Sequence, residues 1–472
     1  MRIAIIISLA GLALAYPTSC EAPLSISSIK WTNCTTKLPV PGLCGTLVVP
    51  LDYTDATSNA TLSLSLFKVE AAIGPSKGSI LTNPGGPGNS GVEFLQANAD
   101  VMLVMTGGHY DVIGFDPRGT GTTLQINCYT NPIERIYSNV AVPTLTNSSD
   151  TALGAVWAGA QTYANRCYEN VREAGQYMGT AFVARDMMQI VDALGEDGML
   201  RYWGQSYGTV LGATAAALFP DRIDKMVIDG VVNLHEYTDG WEYEPVPYGD
   251  VALAKFLEAC VTAGHSACAL ARPNSTVAGL TGQIHDLLHE VKFEPIVMGS
   301  DITTDIVTSA TISAAFQTAL RIQIAYAIPL AGYLDAIMQR NTTAFHIYTK
   351  LLFGDPATAV APANPDALSG IRCGDGTFRA STLSDVRPRV DAMLKLSNVF
   401  GDVFSFSFII CSLWKIAAKE RYSGDFKIKT KNPMLIIGSP FDMRTPLVNA
   451  FNASEGFEGS VVLQHNGYGV SY

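Results

Sequence analysis

Positive charge is scarce in this sequence: 31 Lys and Arg stand against 42 Asp and Glu, a formal net charge of -11. A surface that grips phosphates needs clustered cations, so nucleic acid is excluded as a partner. Charged residues of both signs make up only 15% of the chain while 48% are hydrophobic, so disorder is excluded and 472 residues can bury a large core. No uncharged apolar run is long enough to cross a bilayer: 3–15 is too short, and 322–334 is short and contains Pro329. Internal repeats and low-complexity segments are lacking. Histidine is sparse too, with seven in the chain and His465 alone after Asp442, so chemistry that needs an imidazole has few candidates.

What is present begins with Met1-Arg2 and the apolar run 3–15, the form of a secretory leader. Small residues allow cleavage after Ala15 or after Ala22. Of nine Cys, the first cut leaves Cys20 as an odd thiol, whereas the second leaves eight, enough for four bridges in an oxidising compartment. The later cut and a secreted, extracellular product are therefore expected. Cys34 with Cys44 and Cys260 with Cys268 close short loops; Cys128 with Cys167 and Cys373 with Cys411 follow by elimination and chain order, a connectivity that sequence alone does not prove. Glycosylation sequons stand at Asn33, Asn59, Asn147, Asn274, Asn341 and Asn452.

Short β-branched runs bounded by Gly, Pro and Asp predict eight strands, at 46–53, 61–70, 78–83, 110–116, 200–205, 225–230, 433–438 and 460–465. The first two alternate, as an antiparallel hairpin does, and the next four are nearly continuous apolar runs, as parallel strands covered on both faces are. Helical patterns at 181–194 and 209–219 lie between strands. Strand and helix alternate, which makes the fold α/β with a doubly wound, mostly parallel sheet and helices on both faces. The stretch 233–425 breaks the rhythm with amphipathic pieces at 250–263, 276–291 and 303–339, then a Pro- and Ala-rich loop around 356–365. It reads as a mainly helical cap inserted between a first core part, 23–232, and a last one, 426–472.

The chemistry centres on Gly204-Gln205-Ser206-Tyr207-Gly208, a G-x-S-x-G run in which a strand ends at Gln205 and a helix starts at once. Such a strand-to-helix turn strains the serine backbone and demands small neighbours, which Gly204 and Gly208 supply. It is the nucleophile turn of an α/β-hydrolase fold. A nucleophilic serine needs donors for the developing oxyanion. Tyr207 offers its N-H, and the loop Asn83-Pro84-Gly85-Gly86-Pro87-Gly88 offers Gly85 or Gly86, since Pro87 has no N-H to give. After the seventh strand, Asp442 holds the position of the triad acid. Arg118, in an Asp-Pro-Arg-Gly turn, reads as a tie between loops and carboxylates rather than as a substrate clamp. The base is the difficulty: His465 ends the last strand instead of following it, which makes it a weak alternative.

Together with Trp31-Thr32-Asn33-Cys34, Val49-Pro50-Leu51-Asp52-Tyr53, the run Gly114 to Gly121 and Asp229-Gly230-Val231, these motifs resemble the serine peptidase family that contains prolyl iminopeptidases and secreted tripeptidyl aminopeptidases. The resemblance spans 31–469 and implies Ser206 as nucleophile and Asp442 as acid. The family's last motif, Gly-x-Gly-His, falls on Gly467-Tyr468-Gly469, with Val470 at the expected His position. It also implies a helix after that histidine, covering the sheet. Val-Ser can be encoded by GTGAGT, a common intron start, so the expectation is that the last three residues are intron read-through; a true pseudoenzyme is the rival.

The expected function is release of short N-terminal peptides or residues through an acyl-enzyme on Ser206, with no metal or organic cofactor implied. Such action needs acids for the substrate's ammonium. Glu242 and Glu244 are at hand, though isolated acids read first as solvated surface residues. An esterase or lactone hydrolase acting on a small metabolite, or a non-catalytic secreted pseudohydrolase, are the alternatives. The partner is a peptide or small-molecule substrate, and the oligomeric state does not follow from the sequence.

Overall fold

The computed structural model describes residues 28–34, 40–299, 305–354 and 364–469. The expected leader, Cys20, most of the Pro- and Ala-rich loop and Val470 lie outside these residues.

One sheet organises the chain. Its strands are β1 (Lys30–Asn33), β2 (Leu43–Pro50), β3 (Thr61–Val69), β4 (Ser79–Asn83), β5 (Asp111–Phe115), β6 (Leu200–Gln205), β7 (Ile223–Asp229), β10 (Leu435–Gly438) and β11 (Val461–Gln464), in the order β1-β2-β3-β5-β4-β6-β7-β10-β11. A separate hairpin pairs β8 (Ile296–Val297) with β9 (Ile306–Val307). The strands from β1 through β3 to β5 are antiparallel, and those from β5 to β11 are parallel. This is the α/β-hydrolase topology. All eight expected strands are present, and the sheet has nine instead of eight. The extra one, β1, is a largely exposed edge whose four residues lack the apolar alternation that marks a half-buried strand, so its sequence gave no signal.

Helices follow the parallel strands: α1 (Gly91–Met105) after β4, then α2 (Pro132–Ala141), α3 (Ala152–Gly175) and α4 (Thr180–Leu194) after β5, and α5 (Tyr207–Leu218) after β6. Ser90 caps α1 by accepting the Glu93 N-H at 3.0 Å. Helix α5 sits close on the sheet because its inner face is small: a Cβ on Gly212 would come within 2.8 Å of the Tyr202 ring.

Between β7 and β10 lie α6 (Leu234–Asp239), α7 (Val246–Ala263), α8 (Val277–Phe293), α9 (Ser309–Arg321), α10 (Gln323–Met338), α11 (Thr342–Phe353), α12 (Pro365–Asp375), α13 (Leu383–Leu396) and α14 (Ser405–Ser412). The amphipathic stretch expected at 303–339 is broken at Ile322, which leaves helical geometry (φ -131°, ψ 62°) between α9 and α10. Helices α7 to α11 bury a core of their own, around Phe256, Phe316, Leu334 and Ile337. Helices α12 to α14 instead share the core of the main body, with α12 and α14 packed on α3. The four bridges Cys34–Cys44, Cys128–Cys167, Cys260–Cys268 and Cys373–Cys411 are all formed.

The two faces of the sheet are covered unequally. Helix α5 and, after β10, α15 (Leu447–Gly456) pack on the parallel half, while α1 lies over β3, β4 and β5. On the face bearing Trp203, Ile437 and Leu463, no described helix lies directly on β6, β7, β10 and β11. A cavity of about 840 Å³ opens there, walled by Met105 of α1, Phe256 of α7 and Ile328 of α10. Parallel sheets are ordinarily buried on both faces.

Candidate active site

The serine turn is strained as its sequence demands. Ser206 has φ 53° and ψ -122°, in the region that favours glycine. Its N-H donates to the Asp229 carbonyl at 3.0 Å, and its own carbonyl accepts from Thr209 N-H at 2.8 Å and Thr209 Oγ1 at 2.6 Å. Small neighbours are obligatory: a Cβ on Gly204 would stand 2.2 Å from the Gly208 carbonyl oxygen, and one on Gly208 would stand 2.6 Å from that of Asn83. Ser206 itself is partly exposed at the N-terminus of α5, where backbone donors are unsatisfied.

The loop after β4 closes on this turn. Gly85 lies so near that a Cβ there would be 2.5 Å from the Gln205 carbonyl oxygen and 2.9 Å from the Tyr207 nitrogen. The Gly85 N-H is spent on Asn83 Oδ1 at 2.9 Å. The N-H groups of Gly86 and Tyr207 have no partner among the described residues. Of the two glycines that the sequence left open, Gly86 is thus the one with a donor to spare.

Asp442 follows β10 and is fully buried. Oδ1 accepts the N-H groups of Arg444 at 2.7 Å and Thr445 at 3.0 Å, and Oδ2 accepts the Thr445 hydroxyl at 2.5 Å. Burial raises its pKa above the ordinary carboxylate value, against the pull of these donors. The last described residues run beside this loop: Ser439 Oγ donates to the Gly467 carbonyl at 2.9 Å, Phe441 stacks on Tyr468, and Gly469 N-H reaches the Phe441 carbonyl at 3.3 Å. The last described residue, Gly469, is thus paired with Phe441, the residue before Asp442. His465 lies elsewhere. Its N-H donates to the Gly438 carbonyl at 2.9 Å and its side chain is exposed at the rim of the apolar cavity. Among the described residues, its ring bonds neither Ser206 nor Asp442.

The two candidate ammonium partners are not solvated surface acids. Glu242 is 4% exposed and paired with Arg372, whose guanidinium stacks over Phe408. Glu244 is partly buried and accepts from Asn233 Nδ2 at 2.6 Å and Asn452 Nδ2 at 2.9 Å. Arg444 lies over the Phe404 ring, 3.7 Å from its centroid, and burial drops its pKa to about 10, with Arg372 and Arg321 adding like charge against Glu242's pull. Sequence reading missed both arginines. Arg118 is a structural tie: its guanidinium is fully buried on Asp186, at 2.7 and 2.8 Å, and also donates to the carbonyls of Pro50 and Leu51. Among the described residues no cluster of His, Cys, Asp and Glu could hold a metal.

Residues 78–249 match the family model described as alpha/beta hydrolase fold, and residues 397–471 match the one described as TAP-like protein. The tripeptidyl aminopeptidase of Streptomyces lividans is 37% identical over 212 residues, 44% of this chain and 39% of that protein. The serine protease Hip1 of Mycobacterium tuberculosis (strain CDC 1551 / Oshkosh) is 33% identical over 213 residues, 43% of this chain and 40% of that protein. These matches span about two fifths of each relative's length. The putative hydrolase YuaR of Escherichia coli (strain K12) is 26% identical over 442 residues, covering 89% of this chain and 80% of its own.

Proposed function

We propose that this chain, which carries the α/β-hydrolase fold and a TAP-like C-terminal segment, belongs to a secreted serine aminopeptidase that releases short peptides or residues from free N-termini. The observation that carries the reading is the strained Ser206 with Gly85 of the loop after β4 packed against its turn, where the N-H groups of Tyr207 and Gly86 have no partner among the described residues. Ser206 Oγ would attack the scissile carbonyl, and the two N-H groups would hold the oxyanion. Asp442 would orient an imidazole that takes the serine proton and returns it to the leaving amine.

That imidazole is missing at position 470. Two features support a working product with histidine there: the last described loop is laid along the Asp442 loop, and no described helix covers the sheet face where a following helix would lie. Sequencing the mature transcript across the codons for Gly467 to Tyr472 tests this. A message spliced after Gly469 that reads on into His and an amphipathic helix supports the reading. A message ending as written makes the triad mechanism untenable and leaves a secreted pseudohydrolase.

The esterase alternative has one specific observation in its favour. Of the two candidate ammonium partners, Glu242 is already spent on Arg372, with Arg444 close enough to feel its charge, which leaves Glu244 alone of the two for an ammonium. Aminoacyl and tripeptidyl amides, run beside acyl esters without an ammonium, separate the two: faster turnover of the esters by kcat/KM would favour the alternative.

A further inference from the structure

Tyr207 carries an N-H group next to Ser206 that has no partner among the described residues, and its side chain is fixed by a buried chain of hydroxyls. The Tyr207 hydroxyl lies 2.6 Å from Thr180 Oγ1, and Thr180 Oγ1 donates to Asp375 Oδ2 at 2.5 Å. Asp375 also accepts the Tyr237 hydroxyl at 3.0 Å on Oδ2 and the Thr180 N-H at 2.9 Å on Oδ1. All four residues are buried. They come from four elements, α4, α5, α6 and α12, so one carboxylate from the insertion caps α4 and reaches the residue after the nucleophile.

The direction of the chain follows from proton counting. A hydroxyl has one proton to donate. Thr180 spends its proton on the carboxylate, so Thr180 Oγ1 must accept from Tyr207. We propose that Asp375 is a positioning residue, whose carboxylate polarises this relay and thereby holds Tyr207 and its N-H in place beside Ser206. A proton added to Asp375 would need an acceptor where all neighbours already donate. One hydroxyl proton, on Thr180, Tyr207 or Tyr237, would then be left unpaired in a buried site, which costs about as much as a lost hydrogen bond. Burial raises the Asp375 pKa to about 6, while its donors and Arg421 pull it down. The other charged and titratable groups facing the cluster are Arg372, over the Tyr237 ring, Tyr422, which shares a small cavity with Asp375 and Arg421, Tyr202, which is near Tyr207, and the two tyrosines themselves.

The test rests on the reading of Tyr207 N-H as an oxyanion donor. An oxyanion hole alone sustains catalysis over water when a triad member is absent, so slow hydrolysis of 4-nitrophenyl acetate by the full chain is a usable readout. Wild-type kcat should fall on the acid side with a midpoint near 6 while KM changes little. Asp375→Asn places an amide N-H where the added proton would sit; it should give a flat profile, about 10-fold below wild type at pH 8. Tyr237→Phe removes a donor to the carboxylate and should move the midpoint upward. A strut that is only structural would lower stability in both variants and leave the midpoint where it was; that result would overturn the proposal. Hydrogen exchange decides independently of turnover. After correction for intrinsic rates, a peptide covering 205–211 should be better protected at pH 8 than at pH 5 in wild type, and equally protected at both in Asp375→Asn. The same pH response in both proteins would refute it. If Ser206→Ala leaves ester turnover unchanged, the hydrolase reading fails, and exchange still judges the relay.

Discussion

Replacing Arg118 by Met should be among the most damaging single changes in the main body. The guanidinium and the Asp186 carboxylate are both completely buried, with two bonds between them, and the Tyr53 hydroxyl adds a third to Asp186 Oδ1 at 2.7 Å. Met fills much of the volume but, among the described residues, leaves the carboxylate with Tyr53 as its only remaining side-chain partner. It also strips the Pro50 and Leu51 carbonyls of their donor. Breaking a buried pair from one side costs about 3–5 kcal/mol. Against a total stability of about 5–15 kcal/mol, that removes a fifth or more of the margin. Equilibrium urea unfolding followed by tryptophan fluorescence measures it. The double variant Arg118→Met, Asp186→Leu should recover much of the loss, because no charge is then left buried alone. A loss below about 1 kcal/mol in the single variant, the range of exposed pairs, would refute the reading of Arg118 as a buried tie.

Gly85→Ala should cut fluorophosphonate labelling of the active enzyme about 10²- to 10³-fold, because its Cβ would press on Gln205 and Tyr207 and its φ of 91° disfavours any side chain; near-normal labelling would contradict the loop's placement. Asp375 predicts a pH dependence of stability. Its folded pKa is raised from 3.8 to about 6, so its contribution is fully present below pH 3.8 and is lost as pH rises through 6. At ~1.4 kcal/mol per pH unit that gap is worth about 3 kcal/mol. Urea midpoints between pH 4 and 8 should therefore fall more steeply in wild type than in Asp375→Asn. Glycopeptide mass spectrometry should find sugar on exposed sequons such as Asn59, Asn274 and Asn341 but not on Asn452, whose Nδ2 is held by Glu244.

Local signals carried most of what the sequence disclosed. The parallel strands were legible because full burial makes them continuous apolar runs, and Ser206 because its turn admits only glycine on either side. The place of Asp442 in the loop after β10 was legible from the strand order. What stayed hidden depends on partners far apart in the chain. Glu242 looked like a surface acid because Arg372 comes 130 residues later, and Asp375 carried no motif because Thr180 lies 195 residues before it. The choice between Gly85 and Gly86 turned on one side-chain bond from Asn83, which no pattern announces. The division of the insertion was hidden for a similar reason. An amphipathic helix shows that it has an apolar face and not which core receives it.

The central claim is that Ser206 is a nucleophile in a preformed oxyanion site. The direct measurement is fluorophosphonate labelling of the protein encoded by the mature transcript, with intact mass and peptide mapping. One adduct per chain, located on Ser206 and lost in Ser206→Ala, is the result predicted. No adduct, or equal labelling of the Ser206→Ala variant, would contradict it.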